Sequence, residues 1–184
     1  MKKLFLFAVS LVSYGLSAQA GQSIFIKNYS NHSVIFSLVK SNSANTIGNC
    51  RPYVKSASTV SFLTLPSSPD DGITPTEAFY KDLNSASDPN PNYPDTPIIN
   101  AWSINGAYPP TPTPLPPLFS NATSWTEIEL SVQDPLGSGT AGPYKLGQMC
   151  NGPLVSDTSG YANPPVQAVW FSMGGSMWVI IKES

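Results

Sequence analysis

The stretch VQAVWFSMGGSMWVIIKE, residues 166–183, decides the fold because it carries the strongest β-hairpin signal in the chain. Its central pair, Gly174-Gly175, supplies the positive φ angles that a two-residue turn requires. With those glycines in the turn, Phe171 pairs with Trp178 on one face, and Trp170 pairs with Val179 on the other. Both faces of the hairpin are apolar, so both must be covered in the folded protein.

Other segments alternate apolar and polar residues with a period of two, as strands do. They are residues 23–28, 33–39, 58–65, 98–104 and 125–132. We therefore predict an all-β fold, an antiparallel β-sandwich with a Greek-key or jelly-roll-like arrangement of about seven short strands. One short helix is also predicted, from Pro75 to about Leu83, because Thr74, Pro75 and Glu77 fit a capping box with proline at the first helical position.

Two long loop excursions interrupt the strands, at about residues 66–97 and 105–123. The second contains YPPTPTPLPPLF, residues 108–119, with six prolines. A linker between two domains is disfavoured because the strands on either side are too few to fold independently. Two interpretations remain open. Either the stretch packs over the hairpin stripe of Trp170, Val179 and Ile181, burying Leu115, Leu118 or Phe119, or it is an exposed polyproline helix that awaits a partner.

The first twenty residues, MKKLFLFAVSLVSYGLSAQA, have the three parts of a secretory signal peptide. Lys2 and Lys3 form the basic region, an apolar run follows, and Ala18-Gln19-Ala20 is a small-x-small cleavage site. The apolar run is shorter than the roughly 20 residues that span a bilayer. We expect residues 1–20 to be removed and residues 21–184 to form a single β-sandwich domain, secreted or periplasmic.

Cys50 and Cys150 are the two cysteines of the chain. Export to an oxidising compartment predicts a disulfide between them. Two free thiols, or half of a metal site, form the alternative, which the shortage of further ligands disfavours.

Composition excludes some classes of function. Charged residues are 11% of the chain and the formal net charge is −2, without a Lys/Arg cluster. This distribution offers no electrostatic footprint for nucleic acid or an anionic membrane. No cofactor is predicted either: GSGTAG, residues 137–142, matches G-x-G-x-x-G, but Pro143 follows where a dinucleotide site needs a helix.

The stretch DPNPNYPD, residues 88–95, places Asp88, Asn90, Asn92 and Asp95 near the alternate positions that calcium loops use. Tyr93 stands where such loops need glycine, and no glutamate closes the loop. A loop held by Asx turns is therefore the preferred interpretation, with calcium binding left open.

Catalytic groups are scarce. His32 is the only histidine and lies in a polar turn, so a histidine-dependent nucleophile has a single candidate base. Glu127 and Glu129 lie on one strand face about 7 Å apart, a spacing at which paired carboxylates can hydrolyse glycosides. Their alternation with core residues favours a solvated outer face instead, so whether the chain is an enzyme stays uncertain, leaning towards none.

Aromatic side chains are the remaining candidates for a ligand-binding site. Trp102, Trp125 and Tyr161 neighbour loops and are predicted ligand-binding residues, since such rings stack on sugars or partner surfaces. The leading hypothesis is a non-catalytic binding or structural domain that recognises a glycan or another surface partner. Two alternatives remain, a membrane-acting small β-protein and a secreted glycan hydrolase.

Export generates a first testable prediction. N-terminal sequencing of the protein recovered from the secreted or periplasmic fraction is expected to begin at Gly21, because the signal peptidase recognises the small residues Ala18 and Ala20. Replacing Ala18 by Gln is expected to leave the leader attached. An exported protein that still begins at Met1 would contradict the assignment.

Overall fold

The computed structural model describes residues 23–57, 62–134 and 139–184, and these residues form two β-sheets. Residues 1–22, 58–61 and 135–138 lie outside the described residues, and they include the predicted signal peptide, part of the strand predicted at 58–65, and Gly137. Eleven strands fall within the described ranges: β1 (Ile24–Asn28), β2 (Ser33–Ser41), β3 (Tyr53–Ala57), β4 (Leu63–Leu65), β5 (Thr76–Tyr80), β6 (Ala101–Ile104), β7 (Thr111–Pro112), β8 (Ser124–Gln133), β9 (Thr140–Gly147), β10 (Val166–Met173) and β11 (Ser176–Glu183).

The smaller sheet has four strands in the order β10-β11-β1-β5, and the larger has the order β7-β6-β3-β2-β8-β9, with β4 also paired to β2. Neighbouring strands are antiparallel apart from β1 and β11, which run in parallel. The sheets pack face to face through rings such as those of Phe36 and Tyr80, whose centroids are 6.4 Å apart. The predicted antiparallel β-sandwich is confirmed.

The predicted hairpin is confirmed in its register. Phe171 pairs with Trp178 and Trp170 with Val179, around the glycine turn, where Gly174 and Gly175 have φ angles of 61° and 80°. Trp170, Val179 and Ile181 belong to the core between the two sheets. This stripe therefore needs no loop as cover, contrary to expectation, because the seven-stranded sheet covers it.

The proline-rich stretch packs elsewhere. Its Thr111–Pro112 segment pairs with β6 at the edge of the larger sheet, and Leu115 is buried at 2% exposure. Asn84 holds Leu115 in place, because its side chain accepts from the Leu115 N–H at 2.9 Å and donates to the Leu115 carbonyl at 3.0 Å. The prediction of a buried anchor is confirmed for Leu115, whereas Leu118 is exposed and Phe119 is partly buried.

The helix predicted at residues 75–83 is wrong. Residues 76–80 form β5, where Thr76, Ala78 and Tyr80 are buried in alternation and the strand pairs with β1. The capping-box signal is local, and the pairing with a distant strand outweighs it. The α-helix of the described residues is α1 (Pro117–Ala122), which has proline at its first position, as the fixed φ of that residue favours.

Cys50 and Cys150 form the predicted disulfide, with their Cα atoms 5.4 Å apart. It joins the β2–β3 connection to the segment that follows β9. A cross-link over 100 residues restricts the unfolded chain, which stabilises the fold by up to about 4.7 kcal/mol in the chain-entropy view. The bond is compatible with an extracellular or periplasmic location.

Strand edges are occupied by side chains and short segments. On the free edge of β10, the Trp170 N–H donates to the Ser156 carbonyl at 2.7 Å and the Ala168 N–H to the Thr158 hydroxyl at 3.0 Å. On the free edge of β5, the Phe79 N–H donates to the Thr96 hydroxyl at 3.1 Å. These bonds remove donors that would otherwise template pairing with another chain.

A lysine lies inside the sandwich. Lys40 is in phase with the inward residues of β2 and is 0% exposed, with Nζ 5.0 Å from the centre of the Trp125 ring. Its ammonium has no hydrogen-bond partner among the described residues. Burial lowers the pKa of Lys40 from its usual 10.5 to about 8, although the negative charge of Asp82 opposes the shift.

This burial predicts that Lys40→Met stabilises the protein at pH 7 by about 3 kcal/mol, because the core no longer holds a charged amine. The folded pKa lies below the unfolded value, so the unfolded chain binds more protons between pH 8 and pH 10.5. Stability of the natural protein therefore rises with pH in that window, and the advantage of the variant disappears. Urea denaturation at pH 7, 9 and 10.5 measures the difference.

The matched control for Lys40→Met is Lys55→Met, which removes a half-exposed lysine from the same part of the larger sheet. It is expected to change stability by less than about 1 kcal/mol, with little added dependence on pH. A Lys40→Met protein less stable than the natural one at pH 7 would show instead that the buried amine contributes a favourable interaction.

Candidate functional site

Two of the three predicted binding aromatics lie in the core. Trp102 is 0% exposed and Trp125 is 2% exposed, and their ring centroids are 6.4 Å apart. Tyr80 packs beside them, 6.3 Å from Trp125. The sequence predicted rings free to bind because they neighbour loops, but both side chains point into the sandwich, where they fill volume between the sheets.

Tyr161, the third predicted residue, lies at the surface after a 3₁₀ turn at Thr158–Gly160. Its hydroxyl donates to the Lys145 carbonyl at 3.1 Å and accepts from the Lys145 N–H at 2.9 Å, which occupies the free edge of β9. Its ring packs edge-on against Tyr144, with centroids 5.1 Å apart. The Tyr161 hydroxyl is thus already hydrogen-bonded within the fold, while the half-buried ring can still contact a ligand.

Tyr161 lines a surface cleft of about 710 Å³ that we term the Tyr161 groove. The cleft lies between the segment that follows β9 and the outer face of β10. Its lining combines an aromatic ring and aliphatic groups with planar polar groups and hydroxyls: Asp157, Thr158, Ser159, Tyr161, Asn163, Pro164, Gln167, Ala168, Val169 and Ser184. The side chains of Asn163 and Gln167 are exposed to solvent.

Asp157 is the charged side chain of this groove. One carboxylate oxygen accepts from the Ser159 hydroxyl and, at 2.9 Å, from the Ser159 N–H. The other accepts from the Ser156 hydroxyl at 3.1 Å. These bonds hold the pKa of Asp157 below its usual range, so the groove carries a fixed negative charge. Because a carboxylate has about four acceptor positions, capacity for a ligand remains.

The outer face of the four-stranded sheet carries a row of aromatic rings, of which sequence reasoning identified only the Phe171–Trp178 pair. Phe171, Trp178, Phe25 and Phe79 are successive cross-strand partners on β10, β11, β1 and β5. Phe25 stacks on Trp178 at 4.3 Å with an interplanar angle of 14°, and Tyr93 approaches Phe79 at 5.1 Å. Each of these four residues is partly buried, so the rings of the row shield one another from solvent in part.

Tyr93 comes from the loop in which calcium binding was left open. There the Asn90 side chain accepts from the Asn92 N–H at 3.1 Å, and the Asn90 carbonyl accepts from the Tyr93 N–H at 3.0 Å. The predicted Asx turn is confirmed, and it places Tyr93 over the sheet. Across the described ranges, no group of three or more His, Cys, Asp or Glu side chains is arranged to hold a metal ion.

Glu127 and Glu129 project from one face of β8, as predicted. Burial raises the pKa of Glu127, whereas a hydrogen bond from Lys55, at 2.6 Å, lowers the pKa of Glu129. Opposite shifts in a carboxylate pair are typical of acid–base sites. Here, however, the second carboxylate is held by an ion pair with Lys55, and neither glutamate lines the Tyr161 groove.

His32 is partly buried. One ring nitrogen lies 3.1 Å from the Gln133 carbonyl, and the other lies 3.7 Å from the Glu183 carboxylate. The histidine therefore joins the turn after β1 to the ends of two other strands.

No protein-family model, no curated protein and no solved structure matches this chain. Within the described part of the chain, no helix has both the length and the apolar character needed to cross a bilayer.

The double role of Tyr161 predicts the effect of Tyr161→Phe. Loss of the hydroxyl removes two hydrogen bonds to Lys145 and lowers the free energy of unfolding by about 1 kcal/mol, while the ring keeps its contact with Tyr144. Chemical denaturation measures the change. Tyr108→Phe is the matched control, since Tyr108 is 92% exposed and its loss of a hydroxyl is expected to be neutral. Equal stability of the two variants would refute the structural role.

Proposed function

We propose that this chain is an exported, non-catalytic domain that binds a glycan in the Tyr161 groove. The signal-peptide pattern and the disulfide support export. A sugar ring presents both hydroxyl groups and an apolar C–H face, so a sugar site needs planar hydrogen-bonding groups beside an aromatic or aliphatic surface.

The composition of the Tyr161 groove carries the proposal. Exposed amides of Asn163 and Gln167 and the carboxylate of Asp157 supply donors and acceptors, while the Tyr161 ring and Val169 supply the apolar surface. Asp157 and Tyr161 are already held by hydrogen bonds within the fold, so these two side chains lose little conformational entropy when a ligand binds.

The charge of the groove lining restricts the class of glycan that the groove can bind. The groove lining contains Asp157 but neither Lys nor Arg. A sulfated, phosphorylated or carboxylated sugar would meet a carboxylate without a compensating cation, so the groove favours neutral sugars.

A glycan array probed with the mature protein is expected to show binding to neutral sugars, and two variants place the site. Gln167→Ala removes an amide from an exposed strand position, and Asn163→Gly removes another where φ is 47° and glycine is tolerated. Each is expected to weaken binding about tenfold, because one or two hydrogen bonds are lost. Gln148→Ala, at an exposed position outside the groove, is the matched control.

Other results, on the array or in separate assays of the same protein, would replace the proposal. Release of reducing sugar that Glu127→Gln abolishes would identify a hydrolase. Leakage of dye from neutral or anionic lipid vesicles, without binding on the array, would identify a membrane-acting protein. An array on which no glycan is bound would refute recognition of sugars.

A further inference from the structure

A second groove lies on the same outer face of the four-stranded sheet. It has a volume of about 640 Å³ and is lined by Tyr29, Asp71, Gly72, Ile180, Lys182 and Glu183. We term it the Tyr29 groove. Tyr29 directly follows β1, whereas the last three residues of the lining come from β11.

The two grooves share a floor. Val169 lines the Tyr161 groove and is the direct cross-strand partner of Ile180, which lines the Tyr29 groove. Gln167 and Lys182 form the next such pair, one in each lining. Direct cross-strand partners have Cβ atoms about 5 Å apart, so the two linings meet without an intervening strand.

The walls of the Tyr29 groove are held by the fold. Gly72 has a φ of 89°, and a Cβ atom there would lie 2.7 Å from the Tyr29 carbonyl, so the Asp71–Gly72 backbone packs directly on Tyr29. On the opposite side, the Glu183 carboxylate accepts from the Asn31 N–H at 2.5 Å. A preformed wall lowers the entropic cost of binding in this groove as well.

We infer that the two grooves form one continuous surface for a linear, neutral oligosaccharide of several sugar residues, an inference that rests on the proposed glycan binding. The chain would lie across β10, β11 and β1, which spans about 10 Å over two strand spacings, with groove width beyond it at each end. Val169 and Ile180 provide an apolar floor for the C–H face of a central sugar, between polar groups at both ends.

Charge on the combined surface agrees with a neutral chain. The linings carry the carboxylates of Asp157, Asp71 and Glu183 against the single ammonium of Lys182. An acidic polysaccharide would place repeated negative charges along this surface, where they are repelled. A neutral chain meets hydroxyl-binding groups in both grooves without that cost.

The test measures affinity against chain length. Calorimetric titration uses the mature protein and β-1,4-linked oligosaccharides of glucose, N-acetylglucosamine and mannose, each from one to six residues. In the series that binds, affinity is expected to rise at least tenfold between two and five sugars, because only longer chains fill both grooves.

The variant Ile180→Thr tests whether the rise in affinity depends on the apolar floor. Threonine keeps the β-branched shape of the strand residue while making the floor polar. This variant is expected to bind the five-sugar chain about tenfold more weakly and the two-sugar chain as the natural protein does. Ile73→Thr is the matched control, since Ile73 is 81% exposed and lines neither groove.

The possible outcomes distinguish the extended oligosaccharide surface from the proposed glycan binding itself. Equal affinity for every chain length, with binding still weakened in Gln167→Ala, would overturn the extended surface and leave the Tyr161 groove as a single-sugar site. Binding of acidic glycans alone on the array would overturn the neutral chain. Failure of every glycan on the array would overturn the inference together with the proposed function.

Discussion

The structure depends on one constraint: the C-terminal hairpin is apolar on both faces, so most of each face must be covered. The inner face, with Trp170 and Val179, is covered by the seven-stranded sheet, which creates the sandwich. The outer face is covered by its own aromatic row and by Tyr93. What this cover leaves open is the end of the face around Val169 and Ile180, and the two grooves lie there.

Sequence reasoning succeeded where the determining signal is local or unique. The glycine turn fixes which hairpin residues face each other, and a single pair of cysteines leaves one intramolecular disulfide. It failed where a distant partner decides. Residues 76–80 carry a helix-start signal, yet they pair with β1 as a strand. For the proline-rich stretch, the buried leucine was predicted correctly but its location was wrong, because nothing in its residues names Asn84 as the partner of Leu115.

The residues of the candidate site also differ in how far the sequence alone could identify them. Tyr161 could be named from its position beside a loop, but Asp157, Asn163 and Gln167 could not, because they become one lining only when the segment after β9 folds against β10. Burial of Trp102 and Trp125 was equally inaccessible, since nearness to a loop does not determine which way a ring points. The burial of Lys40, by contrast, could have been predicted from the sequence but was missed. Its phase with the apolar residues of β2 placed a lysine in the core by pattern alone.

The parallel pairing of β1 with β11 has a mechanical consequence. The pairing runs from Ile24 beside Met177 to Asn28 beside Ile181, so the incoming end of one strand and the outgoing end of the other lie at opposite ends of the ladder. Tension applied through the flanking segments therefore loads these hydrogen bonds together, in shear, instead of peeling them apart one by one. The Cys50–Cys150 bond further prevents the residues between the two cysteines from being drawn out. A pull between the segments that flank these two strands is thus resisted by the whole β1–β11 ladder at once.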